Sequence, residues 1–293
     1  MFPYLKLLIR QRIAAWNPVN ARMADRSKLK KIFAYIGFSV LAIMTYGMLV
    51  ALEYMMYGAF EQLGEPQTML ALTGVLCTLL TVITSFFYIF NELFFSKDVM
   101  FVSALPISSR SLLTAKLIRI WLGEAGIALA ICLPVVILYG IGQSVGFLYY
   151  IKALLLVAFI PMVPIAIVTL LSFLLIRISA LWKRRELLTV VVGMLFLMVF
   201  MWSEMQFSMS SSQDDMGAAV LQLVLKQRSV LDLFAGLYPP IHLFTGALTG
   251  SGFTAALQWV GFAAMNVAVI ALVTVALGGA YQSLAIRQNE TFT

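Results

Sequence analysis

Residues 91–119 read NELFFSKDVMFVSALPISSRSLLTAKLIR, and this stretch decides how the chain is read. It lies between two long apolar runs, yet its character changes partway through. A charged beginning gives way to an apolar patch, a Leu-Pro break, a serine cluster and basic residues spaced along a new helix. Two or three polar residues suffice to join antiparallel helices, so a segment this structured needs another reason.

The chain around it has 293 residues, of which 62% are hydrophobic and only 11% charged, with a mean hydropathy of +0.96. Soluble domains are about half apolar and about a quarter charged, so this composition belongs in a bilayer. A helix crossing ~30 Å of hydrocarbon needs about 20 apolar residues. Six runs qualify, at about 32–57, 69–94, 117–140, 152–176, 187–203 and 256–280. The alternating pattern of an outer-membrane barrel is absent. The expected fold is therefore an all-α integral membrane protein with six transmembrane helices in a single domain spanning 1–293. The first 31 residues lack the apolar core of a signal peptide, so the first span is expected to act as an uncleaved anchor.

Basic residues set the expected orientation, because they accumulate in cytoplasmic loops. Eight precede the first span, Lys97, Arg110, Lys116 and Arg119 follow the second, Arg177, Lys183, Arg184 and Arg185 follow the fourth, and Arg287 is in the tail. Only Lys152, Lys226 and Arg228 fall on the other side. A multi-pass protein of the cell inner (plasma) membrane with both termini cytoplasmic is expected. That arrangement accounts for the net charge of +7 without a nucleic-acid partner.

Within the cytoplasmic N-terminal segment, 1–31, residues 3–17 read PYLKLLIRQRIAAWN. Leu5, Leu8, Ile9, Ile13 and Trp16 share one helical face and Lys6, Arg10 and Gln11 the other, while Arg12 interrupts the apolar arc. An amphipathic helix lying in the lipid interface is expected, with a simple basic leader as the alternative. Residues 58–68 and 141–151 contain glycine and read as tight hairpins. The connection 204–255 is long, and its apolar segment IHLFTGALTG at 241–250 is too short to span. A partly re-entrant or surface-lying element is expected, with an irregular external loop as the alternative.

Pro134 interrupts the third span, and Pro161 and Pro164 the fourth. Each removes a backbone donor and crowds the preceding turn, so kinks are expected there, whether as part of a pathway or as ordinary membrane-helix features. Glu53, Glu92, Glu124, Lys152 and Glu204 sit near span ends, and interfacial pairing is expected, with Glu92 and Glu124 placed to meet Lys116 or Arg119. A proton relay would need an ionisable residue in mid-span. No internal repeat of the inverted-topology kind is present.

Catalytic signatures are missing. There is no Gly-x-x-x-x-Gly-Lys-Ser/Thr, no His-Glu-x-x-His and no Gly-x-Ser-x-Gly. Cys77 and Cys132 lie inside expected spans, and His242 is the single histidine, so neither a disulfide framework nor a metal or cofactor site is expected. If the protein does work, the energy comes from elsewhere and the chain is not an enzyme.

In the cytoplasmic loop 95–116, Ser96 can N-cap a short helix with Asp98 in its first turn. Val99, Met100, Phe101, Val102 and Leu105 make that helix unusually apolar, and Pro106 ends it. Ser108 or Ser109 then caps a helix running through Lys116 and Arg119 into the third span. An apolar patch rimmed by charge has the make-up of a docking surface; packing against the protein's own span ends is the alternative.

Asp98, the following hydrophobics, Leu105-Pro106-Ile107-Ser108, Arg110 and Lys116 resemble the first cytoplasmic loop of type-2 ATP-binding cassette (ABC) exporter permeases. The layout of basic interfacial helix, six spans, inward termini and long connection before the last span is similar too, and covers nearly the whole chain. The resemblance implies that the loop is a coupling helix gripped by a separate ABC ATPase subunit, with Asp98, Phe101, Leu105, Pro106, Arg110 and Lys116 at or near the contact. ATP is then bound by that partner, and a second permease half, identical or not, completes the pathway. Some relatives are about twice this length, which leaves the chain as either a complete half-unit or the first half of a longer permease. An ion-coupled carrier or channel, or a membrane scaffold or immunity-type protein without a transport cycle, are the alternative functions.

Overall fold

The computed structural model describes residues 28–94, 108–177 and 238–290, together with helical positions Met198 and Met201. Every regular element among these residues is helical. The helices are α1 (Lys28–Gln62), α2 (Gln67–Ile89, continued by a π turn at Phe90–Phe94), α3 (Ser109–Gly142), α4 (Phe147–Phe159), α5 (Met162–Arg177), α6 (Pro240–Thr249) and α7 (Gly252–Glu290). Five stretches are long and apolar enough to cross a membrane: Ile32–Gln62, Gln67–Phe94, Ser109–Gly142, Phe147–Ile176 and Gly252–Leu284. They match the first four expected spans and the sixth. The expected fifth span at 187–203, the interfacial helix at 3–17 and the coupling helix lie outside the described residues.

The spans run past the limits expected from hydropathy because polar residues at their ends continue the helical hydrogen bonding. The α1–α2 and α3–α4 connections shrink to residues 63–66 and 143–146, each using one left-handed residue, Gly64 (φ 73°) and Ser144 (φ 50°). α3 is one unbroken 34-residue helix, about 50 Å long at 1.5 Å per residue. It begins at Ser108, whose hydroxyl accepts from the Ser111 N–H, so Ser108 rather than Ser109 is the cap.

The three prolines behave differently. Pro134 sits within continuous α3. Pro161 marks the break between α4 and α5, and Pro164 falls in the first turn of α5. At the break the Ile160 N–H reaches back to Val157 O. The neighbouring carbonyl of Ala158 instead accepts the Trp121 indole N–H from α3 at 2.8 Å, which satisfies a group that hydrocarbon would leave unpaired.

Two cores hold the bundle. The hairpin-end core joins Phe60, Met69, Leu72, Tyr139, Leu156 and Phe244, and the loop-end core joins Leu93, Phe94, Leu113, Ile120, Phe173 and Tyr281. α2 packs against both through a stripe of small residues, Gly74, Thr78, Thr81 and Ser85, all buried. Small residues at this spacing let membrane helices approach closely, and the two threonines satisfy their hydroxyls on the carbonyls four residues back. α6 is too short to span; it lies against α2 and α7, with Ile241, Phe244, Ala247 and Leu248 buried. A Cβ on Gly74 would come within 2.7 Å of Ile241 Cδ1, so the glycine is what admits α6.

Candidate functional site: a buried latch at the root of the 95–107 loop

Of the expected coupling residues, Asp98, Phe101, Leu105 and Pro106 lie outside the described residues. Arg110 and Lys116 are described, and they part company. Arg110 is exposed on the first turn of α3, its stem laid over Gly278 of α7, where a Cβ would come within 2.5 Å of Arg110 Cγ. Lys116 is 1% exposed. Burial removes it from any partner surface.

Lys116 instead belongs to an internal latch. Its Nζ donates to the main-chain carbonyl of Glu92 at 2.6 Å. One turn along α3, Arg119 forms a salt bridge of 2.8 Å with Glu92 Oε1, both side chains mostly covered. From α7, the Tyr281 hydroxyl donates to Leu93 O at 2.9 Å, and the Gln282 N–H donates to Ser109 Oγ at 3.1 Å. Phe94, Phe173 and Tyr281 stack around these bonds, with centroids 5.2–6.3 Å apart. Carbonyls at the end of a helix lack the next turn's N–H groups; here two of them are satisfied by side chains from two other helices. The π turn at Phe90–Phe94 widens the backbone at this point, and such turns recur at functional positions.

The latch ties both roots of the 95–107 segment, the end of α2 and the start of α3, to α7. Glu92 pairs with Arg119, as the spacing led one to expect; Lys116 also bonds the Glu92 carbonyl, and Glu124 accepts from a hydroxyl. Glu124, 3% exposed, is met by Thr84 Oγ1 of α2 at 2.8 Å. It is not an interfacial residue reaching for water.

A second polar group lies near the hairpin end. Glu53, expected to reach an interface, is buried at 7% exposure on the face of α1 that also carries Tyr57 and Phe60. Its Oε2 has no hydrogen-bond partner, nor have the hydroxyls of Tyr57 and Tyr149. Cys132 of α3 interacts electrostatically with Glu53 and hydrogen-bonds Cys77 of α2, the two thiols being unoxidised. Nearby, Tyr238 hydrogen-bonds Thr78, and burial pushes its phenol well above the ordinary range. Among the described residues no cluster of His, Cys, Asp and Glu is suited to a metal ion.

The chain matches no protein-family model, no curated protein and no solved structure at a significant level. Function is therefore read from the residues alone.

Sequence reasoning missed Tyr281, Trp121 and Glu53. Tyr281 and Trp121 are single aromatics in apolar helices, and nothing in their spacing distinguishes a donor aimed at a distant carbonyl from an ordinary packing residue. Glu53 was visible as an acid, but its depth follows from α1 running on to Gln62.

Proposed function

We propose that the chain is the transmembrane permease subunit of an ABC-type exporter, driven by a separate ATPase subunit that grips the 95–107 segment. In this reading Asp98, Phe101, Leu105 and Pro106 form a coupling helix on the cytoplasmic side, Arg110 borders the contact, and Lys116 carries motion inward. The exporter is completed by a second permease half in the inner (plasma) membrane, and the external segment between the last two of six spans is partly re-entrant and includes α6. ATP binds to the partner, not to this chain.

The observation that supports this most directly is the Lys116–Glu92–Arg119–Tyr281 latch. A loop that merely connected α2 and α3 would have no use for charge-assisted bonds joining its two roots and further hydrogen bonds tying each root to a third helix. A push on a gripped helix would reach α2, α3 and α7 as one body, which suits alternating access by rigid tilting of spans. The broken α4–α5 span, braced at Pro161 by Trp121, gives a place where tilting is absorbed.

The test is site-specific photo-crosslinking from Phe101 and Leu105 in native membranes. A crosslinked P-loop ATPase, lost when either neighbour becomes Asp while insertion persists, is the expected result. Crosslinks to lipid and to the chain's own helices alone overturn the reading.

An ion-coupled carrier is the second reading, and Glu53 favours it, because such a carrier needs an ionisable residue inside the bundle. Proton-gradient-driven transport by proteoliposomes lacking any ATPase would establish it.

A further inference from the structure

Glu53 is the acid whose position the packing leaves unexplained. It lies about two and a half helical turns from the end of α1, on the face of that helix that carries its buried residues. No described residue of α1 from Ile32 to Leu52 is buried, whereas Glu53, Tyr57 and Phe60 are. Among the described residues, the burial of α1 therefore begins at Glu53. Tyr57 Oη reaches the backbone at Gly142, where any Cβ would collide with it, so the contact is close as well as short.

Among the described residues, the titratable group set against Glu53 is Cys132 of α3, itself hydrogen-bonded to Cys77 of α2. Tyr57 follows one turn on along α1 and interacts with Tyr139 of α3 and Tyr149 of α4. Tyr139 and Tyr149 stack at 5.9 Å. None of these carries a positive charge. A carboxylate sealed among them would lose its hydration and gain no counter-ion, which is the costliest arrangement a buried acid can adopt. A carboxylic acid loses far less, and its hydroxyl can be offered to a phenol oxygen. Glu53 Oε2 has no hydrogen-bond partner, and neither have Tyr57 Oη, one turn along α1, and Tyr149 Oη.

We infer that Glu53 is a proton-binding site within the membrane-spanning bundle, protonated while α1 is docked on α3 and deprotonated when α1 moves away. The ligand is the proton itself, taken up by the carboxylate from water as the acid closes against Cys132 and Tyr57, and returned to water as it opens. Release of the proton leaves a charge that the apolar face cannot hold, so the two events are one equilibrium. The inference rests on the packing of α1 against α2 and α3 and not on an ATPase partner; it stands whichever energy source drives the protein.

The test uses the full chain in proteoliposomes with dicyclohexylcarbodiimide, which reacts with protonated carboxyls in apolar surroundings. The acid adds across one C=N bond, its proton passing to nitrogen, and the O-acylisourea rearranges to a stable N-acylurea with nothing expelled. Peptide mass spectrometry should find the adduct on Glu53 near pH 5 and at least several-fold less near pH 9, because the reagent consumes the protonated acid. Glu53→Gln should carry no adduct at this position. Spin labels at Leu52→Cys and Ile137→Cys, both exposed positions, read the α1–α3 separation with the buried native thiols in place. That separation should grow as pH rises, and should not in Glu53→Gln. An unlabelled Glu53 near pH 5, or a pH-dependent separation that persists in the glutamine variant, overturns the inference. Should the glutamine variant not fold, the pH dependence of the Glu53 adduct in the unsubstituted chain decides.

Discussion

Lys116 Nζ and Glu92 O, 24 residues apart in the chain, meet at 2.6 Å in a site where Lys116 is 1% exposed. A lysine on the flank of a span ordinarily points its charge to water. This one turns inward to close the end of α2.

Replacing Lys116 with alanine should therefore cost stability, not merely a surface contact. It removes a charge-assisted bond and strands a carbonyl, worth about 1–3 kcal/mol. Lys116→Met, which keeps the stem, should recover little of it. Arg110→Ala, at an exposed position, should change stability by no more than about 0.5 kcal/mol. Thermal unfolding in detergent measures all three, and equal losses at Arg110 and Lys116 would count against the latch.

Arg119 and Glu92 should behave as a coupled pair. Their carboxylate–guanidinium contact is mostly shielded from water, so a double-mutant cycle of Arg119→Met and Glu92→Gln should return about 1 kcal/mol of interaction. A value within error of zero would place the pair with ordinary surface ion pairs.

At the α4–α5 break, Trp121→Phe should destabilise by about 1 kcal/mol by orphaning Ala158 O. In a Pro161→Ala background the helix can close, Met162 N–H takes that carbonyl, and the cost of Trp121→Phe should shrink. Equal costs in both backgrounds would mean that the indole braces nothing.

α6 should be displaced by Gly74→Val, because the added side chain occupies the space of Ile241 Cδ1 and of Phe244, whose ring atoms lie 3.3 Å from an ideal Cβ. Ile241→Ala should restore part of the loss. Limited proteolysis between 238 and 252 reports the displacement, and cleavage unchanged by Gly74→Val would refute it.

Orientation is tested with thiol reagents. Cys77 and Cys132 are buried, so single cysteines at Ser211 and Ser103 should dominate the labelling. Ser211→Cys should react in intact cells and Ser103→Cys only after permeabilisation. The reverse pattern would invert the expected topology.

The amino-acid sequence by itself determined that the chain is helical and membrane-embedded, because span length and apolar content answer directly to the thickness of hydrocarbon. It located the five described spans to within about eight residues at either end, marked Pro161 as a break, and found the Ser108–Ser109 start of α3. Tertiary structure decided which polar residues are shielded and by what. Lys116 reads as a basic flank, Glu53 as an interfacial acid and Tyr281 as one aromatic among many, since hydropathy depends on composition along one chain. Their roles depend on which carbonyl, thiol or phenol lies across a helix interface. Partners 24 and 188 residues away along the chain leave no trace in a local window, because packing, not sequence spacing, brings them together.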